Sequence, residues 1–261
     1  MRYERFGFLS IANFLPEQRV QTLLSEAKRL KDQAEAEHTR EAFYEEESQE
    51  LRSLFAVHKL SEEIFDTLKD PRIIEYVSTI LDDDVYLHQS RLNFKPAFSG
   101  KEFFWHSDFE TWHAEDGMPR MRALSLSISL TPTLSTNGPL MLIPGSHKTY
   151  VSCAGRTPES HYLSSLVRQK CGTPDEETLK DLVQTKGISA PSGGAGSITF
   201  FDCNAMHGSN GNITPFPRTN LFVVYNAVSN RLSTPFAAEK PRPEFVAARE
   251  NIERIQGNQT Q

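Results

Sequence analysis

Cysteine is scarce in this chain. Its 261 residues include 3, namely Cys153, Cys171 and Cys203, an odd number with no CxxC spacing. That excludes a complete disulfide framework, argues against a structural zinc site, and predicts incidental thiols in a reducing cytoplasm. Basic charge is short too. Against 34 Asp and Glu stand 28 Lys and Arg, a formal net charge of -6. The cations are scattered, so the footprint of a nucleic-acid partner is missing. Long apolar runs are lacking: nothing approaches the roughly 20 residues of a membrane span. No apolar signal core follows Met1-Arg2-Tyr3-Glu4-Arg5. Repeats and long Pro/Gly/Ser linkers are absent as well, which leaves a chain able to bury one large core.

The first third reads as helical. Pro16 suits a first helical turn, and Val20, Leu23, Leu24, Ala27 and Leu30 recur at helical spacing. Ser61-Glu62-Glu63-Ile64 and Asp70-Pro71-Arg72-Ile73-Ile74 carry helix-start chemistry. Residues 35–49 are acidic without a sustained apolar face, which predicts exposed helix or loop. From about Asp84 the period shortens. Val85, Leu87, Leu92 and Phe94 suggest strand, with polar Gln89, Arg91 and Asn93 interleaved. Residues 124–130 alternate strictly between apolar side chains and serines, a half-buried strand with a hydroxyl face. Further strands are expected at 140–143, 197–201 and 220–226, while 157–186 read as a polar insertion that could cover a site. Helices first and strands afterwards predict one α+β domain. Its helical part spans about 1–83, its β core about 84–230 and its C-terminal extension 231–261.

One segment carries the chemistry. Phe104-Trp105-His106-Ser107-Asp108-Phe109-Glu110-Thr111-Trp112-His113 places an imidazole and a carboxylate two residues apart in a strand-like stretch. Strand positions i and i+2 share a face. With His207, 99 residues beyond Asp108, they make the 2-His-1-carboxylate set that leaves positions open on Fe(II). The bland alternative makes His207 a turn cap and Asp108 a surface acid. The apolar neighbours Trp105, Phe109 and Phe201 weigh against it, since a buried charge needs a partner or a metal.

Arg218, 11 positions after His207, has the fork to hold the far carboxylate of 2-oxoglutarate, or is a surface cation near two prolines. Ser209 and Asn93 could complete that pocket, and Ser125 could belong to it or be solvated. His113, His147 and His88 are set aside as ligands, and Glu110 is the looser rival carboxylate. Phe103, Trp112, Phe201 and Phe222 read as core or as dry pocket wall.

These blocks, with Asn137-Gly138-Pro139-Leu140-Met141, Ile143-Pro144-Gly145-Ser146-His147-Lys148, residues 200–212 and Lys240-Pro241-Arg242-Pro243-Glu244-Phe245, resemble the signature of the ectoine hydroxylases. These are a branch of the phytanoyl-CoA dioxygenase-like, 2-oxoglutarate-dependent enzymes. The resemblance covers most of 84–250. It implies a double-stranded β-helix (jelly-roll, cupin-like) core with flanking N-terminal helices. It implies Fe(II) on His106, Asp108 and His207, and 2-oxoglutarate anchored by Arg218 with Asn93, Ser209, Phe103 and Ser125. It implies O2 as second co-substrate, and ectoine held by Gln89, Trp112, Phe201, Phe222 and Arg242. Members usually carry a further N-terminal stretch where a homodimer contact could form; no expected site residue falls there. The rivals are the same chemistry on another small polar molecule such as proline, a non-catalytic sensor of the same fold, and a zinc hydrolase.

Overall fold

The computed structural model describes residues 2–151, 173–250 and 252–257. Its larger sheet orders β1 (Phe8–Ile11), β8 (Ile198–Asp202), β6 (Ala123–Ser129), β10 (Arg218–Ala227), β4 (Val85–Lys95), β3 (Leu51–Phe55) and β2 (Ala42–Tyr44). The smaller sheet orders β5 (Phe103–His106), β9 (His207–Ser209) and β7 (Leu140–Leu142). Every pairing is antiparallel. From Val85 onward successive strands alternate between the two sheets, which is the winding of a double-stranded β-helix.

The expected helices form for the expected reasons. After the short α1 (Arg2–Phe6), Pro16 precedes α2 (Glu17–Glu37), Ser61 caps α3 (Glu62–Leu68) by accepting from the Ile64 amide, and Asp70 caps α4 (Pro71–Leu81) by accepting from Arg72. Val20, Leu23, Ala27 and Leu30 of α2, Ile64 and Leu68 of α3, and Ile73 and Val77 of α4 pack against the larger sheet. There they meet Leu92, Leu124, Leu126, Ile128, Leu221 and Val223 in one apolar core. Because strand side chains alternate, the opposite face of the same strands is free for Ser125, Ser127, Asn220, Phe222 and Val224.

In β4 the alternation changes phase. Val224 pairs with Gln89 but Tyr225 pairs with Leu87, so His88 is an extra residue, a β-bulge. The bulge lets Val85 and Leu87 face the helices while Gln89, Arg91, Asn93 and Lys95 face the interior. Without it, either the apolar pair or the polar set would point the wrong way.

Two expectations about the first third need correction. It is not purely helical, because β1, β2 and β3 lie within it and extend both edges of the larger sheet. Residues 35–49 are not all exposed either: Phe43 and Glu45 are buried. The reason is one partner in the next strand. Arg52 Nη1 donates to Glu45 Oε1 at 2.8 Å, with both side chains at most 3% exposed, so the acid enters the interior neutralised. Of the polar insertion, α6 (Glu176–Lys186) is helical, whereas 152–172, with Cys153 and Cys171, lie outside the described residues. Cys203 is buried and free.

Candidate metal centre and cavity

His106 closes β5, His207 opens β9, and the two are register partners across the smaller sheet. Their ring centroids lie 4.2 Å apart. Asp108 does not share a strand with His106, contrary to expectation. β5 ends at His106, Ser107 is extended, and Asp108 is the first residue of α5 (Asp108–Asp116). A carboxylate in a first helical turn is favoured by the unpaired amides there, and the Phe109 amide, donating to Cys203 O at 2.8 Å, fixes the corner. The corner brings the acid to both rings: Asp108 Oδ1 is 3.8 Å from His106 Nε2, and Oδ2 is 3.9 Å from His207 Nε2.

Each ring is oriented by its other nitrogen. His106 Nδ1 lies 2.6 Å from Phe104 O, and His207 Nδ1 lies 3.0 Å from Ala205 O. Carbonyls only accept, so both Nδ1 atoms carry the proton and both Nε2 lone pairs are left for a metal. Burial, and then His207, pulls the His106 pKa down to about 4, so its ring is neutral near pH 7. Ser125 Oγ donates to Asp108 Oδ2 at 3.2 Å. Two imidazoles and one carboxylate, their ligand atoms within 4.8 Å of one another, suit Fe(II) with positions left open.

The three residues open into a concave cavity between the sheets, lined by residues of both. Its walls are rich in cations. Arg218 is buried and Arg91 partly buried, and desolvation lowers the pKa of each to about 10. Neither has a carboxylate within ion-pair distance among the described residues, and both leave Nε without an acceptor. The Arg91 guanidinium lies 4.3 Å over the Phe222 ring. Lys95 Nζ donates to Ser209 Oγ, Lys101 O and Asn210 O at 2.9, 2.9 and 2.6 Å, while burial holds its pKa well below the usual value. Buried cations without anions imply that the ligand brings the negative charge.

Most expected contacts line this cavity: Gln89, Asn93, Phe103, Trp112, Ser209, Arg218, Phe222 and Arg242 do so with the three metal ligands. Phe103 is held by the Arg52 guanidinium, 3.7 Å over its ring. Gln89 Nε2 donates to Val246 O at 2.7 Å, and Asn93 Oδ1 accepts from Ser53 at 2.9 Å. Arg242 is paired: its Nε donates to Asp116 Oδ1 at 2.9 Å and its Nη2 to Oδ2. Two expected contacts sit one layer back. Ser125 stands behind Asp108, and Phe201 is fully buried with its ring 4.9 Å from His207.

His88 is buried edge-on to Trp112, and His113 Nδ1 lies 2.8 Å from Met118 O, so neither reaches the metal ligands. Sequence reasoning missed Arg91, Lys95, Ser127 and Asn220 as lining residues. The signal was parity. Arg91 and Lys95 share the face of Gln89 and Asn93, and Asn220 sits midway between Arg218 and Phe222.

A double-stranded β-helix carrying two histidines and an aspartate in the wall of a cation-lined cavity defines a non-haem iron oxygenase framework. The profile of the phytanoyl-CoA dioxygenase (PhyH) family matches residues 3–220, and the chain belongs to that family. Among its relatives, the ectoine dioxygenase of Sphingopyxis alaskensis is 60% identical over 205 residues, 78% of this chain and 67% of that one. The ectoine dioxygenase of Stutzerimonas stutzeri is 52% identical over 251 residues, covering 96% of this chain and 83% of that one. Among solved structures, EctD from S. alaskensis with 2-oxoglutarate and 5-hydroxyectoine matches with a TM-score of 0.88 at 47% identity, over 98% of this chain and 84% of that one. The same enzyme with bound Fe matches at a TM-score of 0.86.

Proposed function

We propose that this protein is an Fe(II)- and 2-oxoglutarate-dependent dioxygenase. It converts ectoine, O2 and 2-oxoglutarate into 5-hydroxyectoine, succinate and carbon dioxide. The observation that carries the reading is the meeting of His106, Asp108 and His207 in one cavity with the unpaired Arg218. Relatives named ectoine dioxygenase, 60% and 52% identical, support the substrate.

His106, Asp108 and His207 would hold Fe(II), which when bound supplies the dioxygen and redox chemistry. Arg218 presents its fork to the distal carboxylate of 2-oxoglutarate, and Lys95 and Ser209 extend that cationic, hydrogen-bonding end. Asn93 and Phe103 bound the same end. Ser125 keeps the Asp108 carboxylate in place. At the opposite end, the Trp112 face suits the delocalised amidinium of ectoine, a contact worth about 2 kcal/mol when desolvated. Gln89 offers hydrogen bonds to the ring, Phe222 excludes water, and Phe201 supports Phe222 and His207 from behind. Arg242, fixed by Asp116, turns its remaining donors toward the substrate carboxylate. Dryness matters because a reactive oxidant formed without a positioned C–H bond attacks its own site.

Among the described residues no helix is long and apolar enough to cross a membrane; a cytoplasmic enzyme acting on a cytoplasmic solute fits the free Cys203. The test is anaerobic reconstitution with ferrous iron, followed by oxygen, 2-oxoglutarate and ectoine, with mass spectrometry of the products. Hydroxylated ectoine and succinate in equal amounts are expected. Turnover of proline with ectoine untouched would overturn the substrate, and 2-oxoglutarate binding without succinate would point to a sensor.

A further inference from the structure

A second groove shares a wall with the catalytic cavity. It runs between α2 and the adjoining ends of β4 and β10. Leu24, Ala27, Pro96 and Pro217 form its apolar sides, and Lys28 and Lys31 stand on the helix. Lys95 and Arg218 line this groove and the catalytic cavity alike. Arg218 is the informative residue. It is buried, no carboxylate lies within ion-pair distance of it among the described residues, and its Nε has no acceptor. An unpaired buried guanidinium on the wall common to two concavities is placed to receive an anion.

Charge decides which side. The groove gathers Lys28, Lys31, Lys95 and Arg218, with Glu35 as the carboxylate beside Lys31, 3.7 Å from its Nζ. At the Trp112 end of the cavity, Arg242 already has Asp116 and Glu115 as partners, whose oxygens approach its guanidinium. A dianion is drawn more strongly to the first, where Arg218 has no carboxylate beside it. Such fields raise association rates by roughly 10- to 1000-fold when lined by low-dielectric walls.

We infer that the α2 groove is a second opening of the cavity, selective for small dicarboxylates. It is the route by which 2-oxoglutarate reaches the Arg218 end and succinate leaves it. The inference rests on the function proposed above. It separates traffic: the uncharged-overall substrate uses the Trp112 side, and the dicarboxylate exchanges behind it.

Two variants on the exposed face of α2 test this in the iron-loaded protein without oxygen, by stopped-flow measurement of 2-oxoglutarate binding. Ser25→Trp should fill the groove and slow association and dissociation together, each roughly tenfold, with Kd unchanged, because a route alters both rates equally. The double variant Lys28→Gln/Lys31→Gln should slow association at low salt by roughly threefold or more and flatten its salt dependence. Ectoine affinity should stay constant in both. Unchanged rates in Ser25→Trp, or a shift in Kd without paired rate changes, would overturn the route while leaving the proposed function intact. A parental protein that binds no 2-oxoglutarate would instead overturn the function, and the route with it.

Discussion

The two faces of the larger sheet use the same strands for opposite purposes. On β6, Leu124, Leu126 and Ile128 enter the helix-covered core, while Ser125 and Ser127 between them face inward, Ser125 holding Asp108 and Ser127 the Asn220 amide. On β10, Leu221 and Val223 pack under the helices, while Asn220 and Phe222 line the cavity. Neighbours in sequence thus differ in what they do. One face supplies stability through burial of apolar area; the other tolerates unpaired cations that cost stability until a ligand arrives.

The sharpest way to break this comparison is to substitute one residue on each face. His106→Ala should reduce turnover to background while the thermal midpoint stays close to the parental value, because it removes a metal ligand and little core. A variant that still consumes 2-oxoglutarate at the parental rate would show the ligand assignment to be wrong. Leu126→Ala, on the opposite face, should cost about 3 kcal/mol in denaturant unfolding, yet the folded fraction should keep parental KM values. Arg218→Gln should raise the KM for 2-oxoglutarate roughly 30- to 150-fold, as expected for losing a charge-assisted hydrogen-bonded pair of about 2–3 kcal/mol, and leave ectoine affinity alone. Trp112→Phe should weaken ectoine capture by roughly tenfold or less and spare iron, since the ring face remains but is poorer. Equal loss of both co-substrates in either variant would blur the two ends of the cavity.

The smallest effect is a pH slope. Burial pulls His58 and His88 down to about 4, against 6.5 for a free histidine. Between those values the unfolded chain binds more protons than the folded one, so stability falls as pH drops from about 6.5 to about 4 and is fully present above. Each ring should contribute a slope on the order of 1 kcal/mol per pH unit. His58→Gln should flatten the slope measured by urea unfolding of the metal-free protein; an unchanged slope would count against a neutral, half-buried His58.

Much of this was legible in the sequence. The serine alternation at 124–130 marked β6 and its two faces, and His106, Asp108, His207 and Arg218 were legible as a set. The cap residues Ser61 and Asp70 marked their helices. What was hidden depended on partners far along the chain. Glu45 looked solvated because its partner Arg52 lies on another strand. The helix start at Asp108 was masked by the aromatic, strand-like residues before it. Ser125 shares the interior face but stands behind a ligand, a depth that periodicity does not encode. The bulge at His88 was visible only as a change of apolar parity between Leu87 and Leu92.

The most direct test is metal stoichiometry with 2-oxoglutarate present, measured anaerobically on folded His106→Ala and Leu126→Ala side by side. One ferrous ion per chain in Leu126→Ala and none in His106→Ala is the expected result. Equal iron in both would contradict the division of labour between the two faces and the metal centre built on one of them.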